Sequence, residues 1–366
     1  MSDNLFERLF ELFQSPGPVN WKLAKEITGS LVGAADLIEP ALAEEYQELG
    51  LAAQLRLDAV APFEVSASRL PDPLDPVAWA GENEQSFRYL IEPLAGKLTP
   101  GLGDADPMAA MLGPMGPAIL GMQAGTMLGF MAHRVLGQFD TGVPALDHDR
   151  MLLVVPNVEA FASDHDLDAR QVRLWATMHE LAHHGVLGVE WMRAHIVQVT
   201  ADFFAGVEFD LSGLMERLGG MQSPDEMESL LAGSSGMASL LGRTEQPEAA
   251  GRVQSLTAFI EGYADHLVAS AAAGILPDIG RIEEAHARRR AEPNKAEQAL
   301  QQLAGLDLQR YRSRDAAAFC AEVETRWGVE AIHSIWQDPQ RLPTLRELTD
   351  PVGWAARVWL EDPLAE

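Results

Sequence analysis

At 366 residues the chain can bury a substantial core as one large domain or two, and 47% hydrophobic with 22% charged residues is the make-up of a soluble globular protein. A formal net charge of −27 argues against nucleic acid or an anionic membrane as main partner, since both select a basic surface. The lone cysteine, Cys320, excludes an intramolecular disulfide, and the opening MSDNLFERLFELFQ has no long apolar run of the secretory kind, so a cytoplasmic location is expected.

Residues 1–60 read as amphipathic helices in NLFERLFELF, NWKLAKEITGSLV and LAEEYQELGLAAQLRLDAV. Pro62, Pro71, Pro73 and Pro76 then punctuate a loop or extended run over 61–85. AWAGENEQSFRYLIEPLAGKL predicts one further helix, and the Gly- and Pro-rich 99–107 suggests a boundary between a helical region, 1–105, and a second region, 106–366. The stretch 108–131 holds no charged residue and is long enough to span a bilayer. Pro114 and Pro117 shorten it to a helix over about 117–137, and no basic flank accompanies it. A buried core helix is expected, with Gly121, Gly125 and Gly129 allowing close packing. MLLVVPNV, 151–158, is the best strand candidate, either a plain core strand or an edge strand able to hold an extended peptide beside the site described next.

DARQVRLWATMHELAHHGVLG, 168–188, predicts a helix that starts at Asp166 or Asp168 and ends at Gly185 or Gly188. It carries His179-Glu180-Leu181-Ala182-His183, the H-E-x-x-H spacing in which two imidazoles one turn apart reach one ion. Glu180, about 100° away round the helix, can stand beside the ion as general base without binding it. Val172, Trp175, Ala176, His179, Ala182, His183 and Val186 form the stripe facing the core, with Arg170, Arg173, Thr177, Glu180 and His184 turned to the other side. EWMRAHIVQVTADFFAGVEF, 190–209, predicts a second helix, and the Gly-, Ser- and Met-rich 211–254 suggests short helices with flexible joints.

A catalytic zinc usually keeps three protein ligands plus water, so a third is sought. Glu261, in the apolar helical run LTAFIEGYADHLVAS, is the strongest candidate, because a carboxylate there is costly to bury without a cation. Asp265, one turn on, could accept a hydrogen bond from a ligand imidazole and fix its tautomer. His184, His195 and His266 are competing ligands. Tyr263, His266 and His195 are candidates for a donor to an oxyanion. In the charged helical stretch 281–328, Arg288, Arg289 and Arg290 read as a solvated or salt-bridged face, with an anion site as the sharper alternative. The tail, from Asp338 on, mixes turns and short helices that pack back on the core.

H-E-x-x-H followed by a distant E-x-x-x-D is similar to the gluzincin arrangement, in which the Glu of the second motif binds zinc. More closely, the chain resembles a family of zinc-dependent metalloproteases of unassigned substrate, mainly actinobacterial, some labelled deazaflavin coenzyme biosynthesis-associated. The resemblance is carried by 121–140, HELAHH with GVEWMRAHI, EGYADH, 305–324 and 342–358, and so by most of the chain beyond about residue 85. It implies a zincin-like domain with His179, His183 and Glu261 on Zn2+ and Glu180 as base.

The expected fold is predominantly α, of α+β class, with a small β-sheet and an N-terminal helical region. The expected function is zinc-dependent hydrolysis of a peptide or small amide. A zinc hydrolase of a non-peptide small molecule, or a zincin-fold binding protein of little activity, are the alternatives.

Overall fold

The structure is a computed structural model that describes residues 17–34, 37–65, 70–98, 115–141, 144–146, 150–207, 247–292 and 312–358. Those residues are predominantly helical, with one two-stranded parallel sheet. Buried side chains from Val19 to Val358 form one contiguous apolar cluster.

Helix α1 (Trp21–Val32) is capped by Asn20, whose Oδ1 accepts from Leu23 N at 3.0 Å. It lies against α5 (Met115–Ala132), the uncharged segment. A Cβ on Gly121, Gly125 or Gly129 would stand 2.2 Å from Asn20 O, 2.4 Å from Ala24 O and 2.8 Å from Leu31. The glycine stripe therefore lets two backbones approach within the protein, and Thr28 Oγ1 donates to Gly125 O at 3.1 Å across the gap. No described helix is long and apolar enough to cross a membrane.

Helix α2 (Pro40–Asp58) begins with Pro40, whose missing N–H falls where a helix has no partner for it, and packs along the metal-motif helix. After it come β1 (Asp72–Leu74) and α3 (Pro76–Asn83), the latter capped by Asp75 Oδ1 to Ala78 N at 2.7 Å. The single helix expected from residue 78 is broken: α3 stops at Asn83 and α4 runs Arg88–Leu98. Buried Asn83 turns its side-chain amide back to Trp79 O at 3.0 Å, a local bond that competes with continuing the helix.

The strand expected over 151–158 is shorter and differently placed. Only β2 (Leu152–Val154) is extended, and α6 (Val155–Asp164) begins at once, with Pro156 tolerated in its first turn. A short apolar run does not distinguish strand from buried helix by periodicity alone. β2 is central rather than an edge: it pairs in parallel with β1, Leu153 opposite Pro73, and on its other side meets residues 136–138. There Val154 N donates to Leu136 O at 2.9 Å and Gln138 N to Leu152 O at 3.0 Å. With both sides used, β2 has no edge to offer a peptide, and of the two readings of 151–158 the plain core strand is the one found.

Helix α7 (Ala169–Gly188) carries the H-E-x-x-H spacing and is capped by Asp168 Oδ1 to Gln171 N at 2.9 Å. It does not stop at Gly185, where a Cβ would come 2.7 Å from the Phe63 ring. The expected split into an inner and an outer face also fails beyond Trp175, since Thr177 and Glu180 are as buried as the histidines. α2 and the 136–140 segment cover that side. Nearer its start, Arg173 reaches Glu45 on α2 at 2.7 Å and Glu159 on α6 at 2.6 Å.

Helices α8 (Met192–Ala205), α9 (Pro247–Ala272), α10 (Ile279–Ala291) and α11 (Arg312–Trp327) complete the surroundings of α7; 208–246, most of the expected 211–254 segment, and 293–311, the middle of the expected helical stretch 281–328, lie outside the described residues. A short α12 (Val329–His333), three single 3₁₀ turns and α13 (Pro351–Val358) follow. The tail packs inward as expected: Trp354 is fully buried, meets Phe319 edge-on and donates to Arg341 O at 2.8 Å.

Candidate metal centre

His179 and His183 project from one face of α7, with ring centroids 4.5 Å apart and exposures of 3% and 2%. His183 Nδ1 lies 2.9 Å from His179 O. A carbonyl can only accept, so Nδ1 carries a proton and Nε2 is the nitrogen left to face an ion. Phe139 stacks on the His183 ring at 5.8 Å, and Trp175 lies against His179 at 5.3 Å, so neither imidazole is free to turn.

Helix α9 brings two carboxylates to this pair. Glu261 Oε1 stands 3.4 Å from His183 Nε2, and Asp265 Oδ1 stands 3.4 Å from His179 Nε2. Neither Nε2 has a hydrogen-bond partner among the described residues. Ligand atoms of His179, His183 and Glu261 all lie within 4.8 Å of one another. Ligands about 2.0–2.1 Å from a tetrahedral zinc stand roughly 3.3 Å apart, so two buried imidazole nitrogens facing carboxylate oxygens at this separation fit such an ion. Asp265, one turn on from Glu261 on the same face of α9, thus stands beside the His179 imidazole.

Glu180 is 1% exposed. Its Oε2 accepts from Phe139 N at 2.9 Å, while Oε1 has no partner among the described residues. The Phe139 amide belongs to the 136–140 segment that runs beside β2, so a short piece of sheet sets the position of this carboxylate. Gly137 makes the approach possible: a Cβ there would stand 2.4 Å from Glu180 Cδ and 2.6 Å from Oε1. Trp79 Nε1 donates to Gly137 O at 3.0 Å and holds the segment down.

The profile of the zincin-like metallopeptidase family matches residues 19–355, nearly the whole chain. The chain belongs to the zincin-like metallopeptidases. A protein from Chloroflexus aurantiacus, whose crystal structure was described as that of "a putative hydrolase with a novel fold", is similar over 93% of this chain and 98% of its own, with a TM-score of 0.67 and 23% identity. At that identity the likeness speaks for the fold. Comparison with curated proteins finds no match. Membership of this family supports a zinc hydrolase in general, and the His-His-Glu group is the place in the described chain where a metal could be held.

The electrostatics of this zincin-like metallopeptidase favour a cation at the histidine pair. Burial by itself would raise Glu261, but Arg290, His183 and His179 hold its carboxyl well below the usual range. Burial would lower His183, yet Glu261 and Glu180 draw it up to about 9. Burial raises Glu180 to about 8, against the opposing effects of His183 and the Phe139 amide. Glu261 is 14% and Asp265 30% exposed. The group therefore meets solvent on the Asp265 side, where a cavity of about 460 Å³ is lined by Trp175, Asp265, Glu283, His286 and Arg290 among others.

Other expected residues are placed elsewhere. Tyr263, roughly 200° round α9 from Glu261, is buried in an aromatic cluster with Phe63, Phe259 and Trp336. His266 pairs with Glu324 at 2.9 Å, and His195 stands edge-on to Trp191. His184 is half-buried and outside the ligand group. Two residues escaped the sequence reading. His286 packs edge-on to Trp175 and His179, with Nε2 3.3 Å from Asp140 Oδ1, and burial depresses it to about 4, so it is neutral. Arg290 is buried against Glu261. Its neighbours in the basic run do form the expected salt-bridged face, Arg288 with Glu284 and Arg289 with Asp140. The spacing of Ile282, His286 and Arg290, four apart on α10, was the signal that could have separated Arg290 from them.

The Gly137 contact makes a test. Gly137→Ala presses on Glu180 from Cγ to Oε1 rather than on backbone, so it moves this carboxylate, and metal analysis beside the assay checks that zinc stays bound. If Glu180 is the base, hydrolysis falls by about 100-fold, the order of loss for a catalytic group moved by an ångström. Unchanged turnover in the alanine variant would show that the position of Glu180 does not matter.

Proposed function

We propose that the protein is a zinc-dependent hydrolase of peptide or amide bonds, with His179, His183 and Glu261 holding the ion and Glu180 acting as general base. The observation that carries the reading is the set of buried, unpaired atoms at one place: Nε2 of both histidines and Oε1 of Glu180, beside a carboxylate within ligand distance of the pair. Zinc held there supplies Lewis acidity, polarising a water and a substrate carbonyl.

The chain's own residues do the rest. His183 presents Nε2 because its Nδ1–H is engaged by the His179 carbonyl. Glu180 keeps Oε1 available while Oε2 is held by Phe139 N–H; in its charged form, which burial disfavours and a cation beside it would favour, that oxygen can take a proton from the attacking water and pass it to the leaving amine. The shielding of His179, His183 and Glu180 from solvent strengthens each of these interactions. Substrate reaches the site from the Asp265 side, where exposure is greatest.

Cleavage of a peptide library by the purified protein tests the reading. Turnover is expected with zinc, lost on chelation and restored by adding zinc back. Turnover indifferent to chelation would overturn it, and zinc-dependent hydrolysis confined to non-peptide amides or esters would move the substrate class.

A further inference from the structure

The proposed chemistry leaves a buried cation unused. Arg290 is 8% exposed, and its Nη2 lies 3.0 Å from Glu261 Oε2 and 3.0 Å from Ser313 Oγ. Its Nη1 lies 3.8 Å from Asp265 Oδ2. The other oxygen of each carboxylate faces a histidine: Glu261 Oε1 is 3.4 Å from His183 Nε2, and Asp265 Oδ1 is 3.4 Å from His179 Nε2. Both carboxylates, one turn apart on α9, are thus divided in the same way, one oxygen to the histidine pair and one to the guanidinium.

We propose that Arg290 is a positioning residue that limits Glu261 to a single oxygen at the metal and keeps Asp265 from joining the ligand set. The inference rests on the metal-centre reading above. A carboxylate can offer an ion one oxygen or two, and two adjacent carboxylates can offer four. A guanidinium is a flat fork suited to facing both carboxylates from behind, in a close ion pair with the far oxygen of Glu261 and a longer one with that of Asp265. With two imidazoles and one carboxylate oxygen as ligands, a tetrahedral zinc keeps its fourth place for water or substrate. Without the fork, the far oxygen of Glu261 and the whole of Asp265 are released towards the ion, and the open place is filled. Ser313 on α11 anchors the fork, so the spacing between α10 and α11 is part of the device.

Cobalt(II) exchanged into the protein reports coordination number directly. In the parent protein, intense visible absorption of four-coordinate type is expected. Arg290→Met should lower that absorption several-fold as carboxylate oxygens are added, and zinc-supported kcat should fall about 10- to 100-fold, the usual loss when a residue supporting a metal ligand is removed. Arg290→Lys, which keeps the charge but not the fork, should lie between. A folded Arg290→Met protein with the parent's spectrum overturns the proposal, because a merely structural arginine would alter stability alone. If Arg290→Met does not fold, Arg290→Lys and Ser313→Ala carry the same reading: a partial spectral shift supports the proposal, and the parent's spectrum in both overturns it. Failure of the parent protein itself to bind zinc or cobalt would overturn the metal centre, and this inference with it.

Discussion

Glu180→Gln is expected to leave about one zinc per chain in place and to lower kcat by about 10²–10⁴-fold, the range that a positioned proton acceptor contributes. The substitution preserves shape. A glutamine carbonyl can still accept from Phe139 N–H at the site where Oε2 now accepts it at 2.9 Å, so the 136–140 segment keeps its anchor. Folding should not suffer either. Burial pushes the Glu180 carboxyl up to about 8, which means that its charged form is disfavoured there, and a neutral amide avoids that penalty. Loss of turnover with retained metal would separate proton transfer from zinc binding. Metal analysis and steady-state hydrolysis on the same preparation decide it: turnover within a few-fold of the parent value would remove Glu180 from the role of base.

His179→Ala and Glu261→Gln are each expected to abolish stoichiometric zinc, measured by metal analysis after dialysis against a weak chelator. Two ligands of a tetrahedral ion remain in either case, too few for a closed protein-held set. Glutamine is the informative replacement at 261. Glu261→Ala would also leave the Arg290 guanidinium buried without its carboxylate, a loss of about 3–5 kcal/mol that could be mistaken for a metal effect. Glu261→Gln keeps an oxygen beside Arg290 while removing the charge that binds a cation. Zinc retained at full stoichiometry by Glu261→Gln would point to Asp265, which already stands 3.4 Å from His179 Nε2.

What could be read from the sequence was local. The α7 helix, its Asp168 cap and the common face of His179 and His183 follow from a period of 3.6 residues, which holds wherever the helix lies. The same period places Glu261 and Asp265 on one face of α9, and the cost of burying carboxylates in an apolar run marked that face as unusual. In α5 the glycine stripe, cut into by Pro114 and Pro117 and without a basic flank, was already readable as a packing surface.

What the sequence could not show were meetings between distant segments. β2 was legible as apolar, but whether it lay at an edge depended on residues 136–138 pairing along it from the other side. The burial of Thr177 and Glu180 depended on α2 and the 136–140 segment closing over what would otherwise be the outer face of α7. Gly137 carries no signal until its neighbour is known to be Glu180, 43 residues on, counting from 137 to 180. Arg290 looked like one of three surface arginines because charge runs usually are solvated; only the packing of α10 between α7 and α11 turned it inward to Glu261, Asp265 and Ser313. Spacing along a helix is dictated by backbone geometry, so the histidine pair and the two carboxylates could be named from the sequence. Which amide holds Glu180 and which cation divides the carboxylates depend on contacts that exist only once the chain has folded, and there the tertiary structure decides.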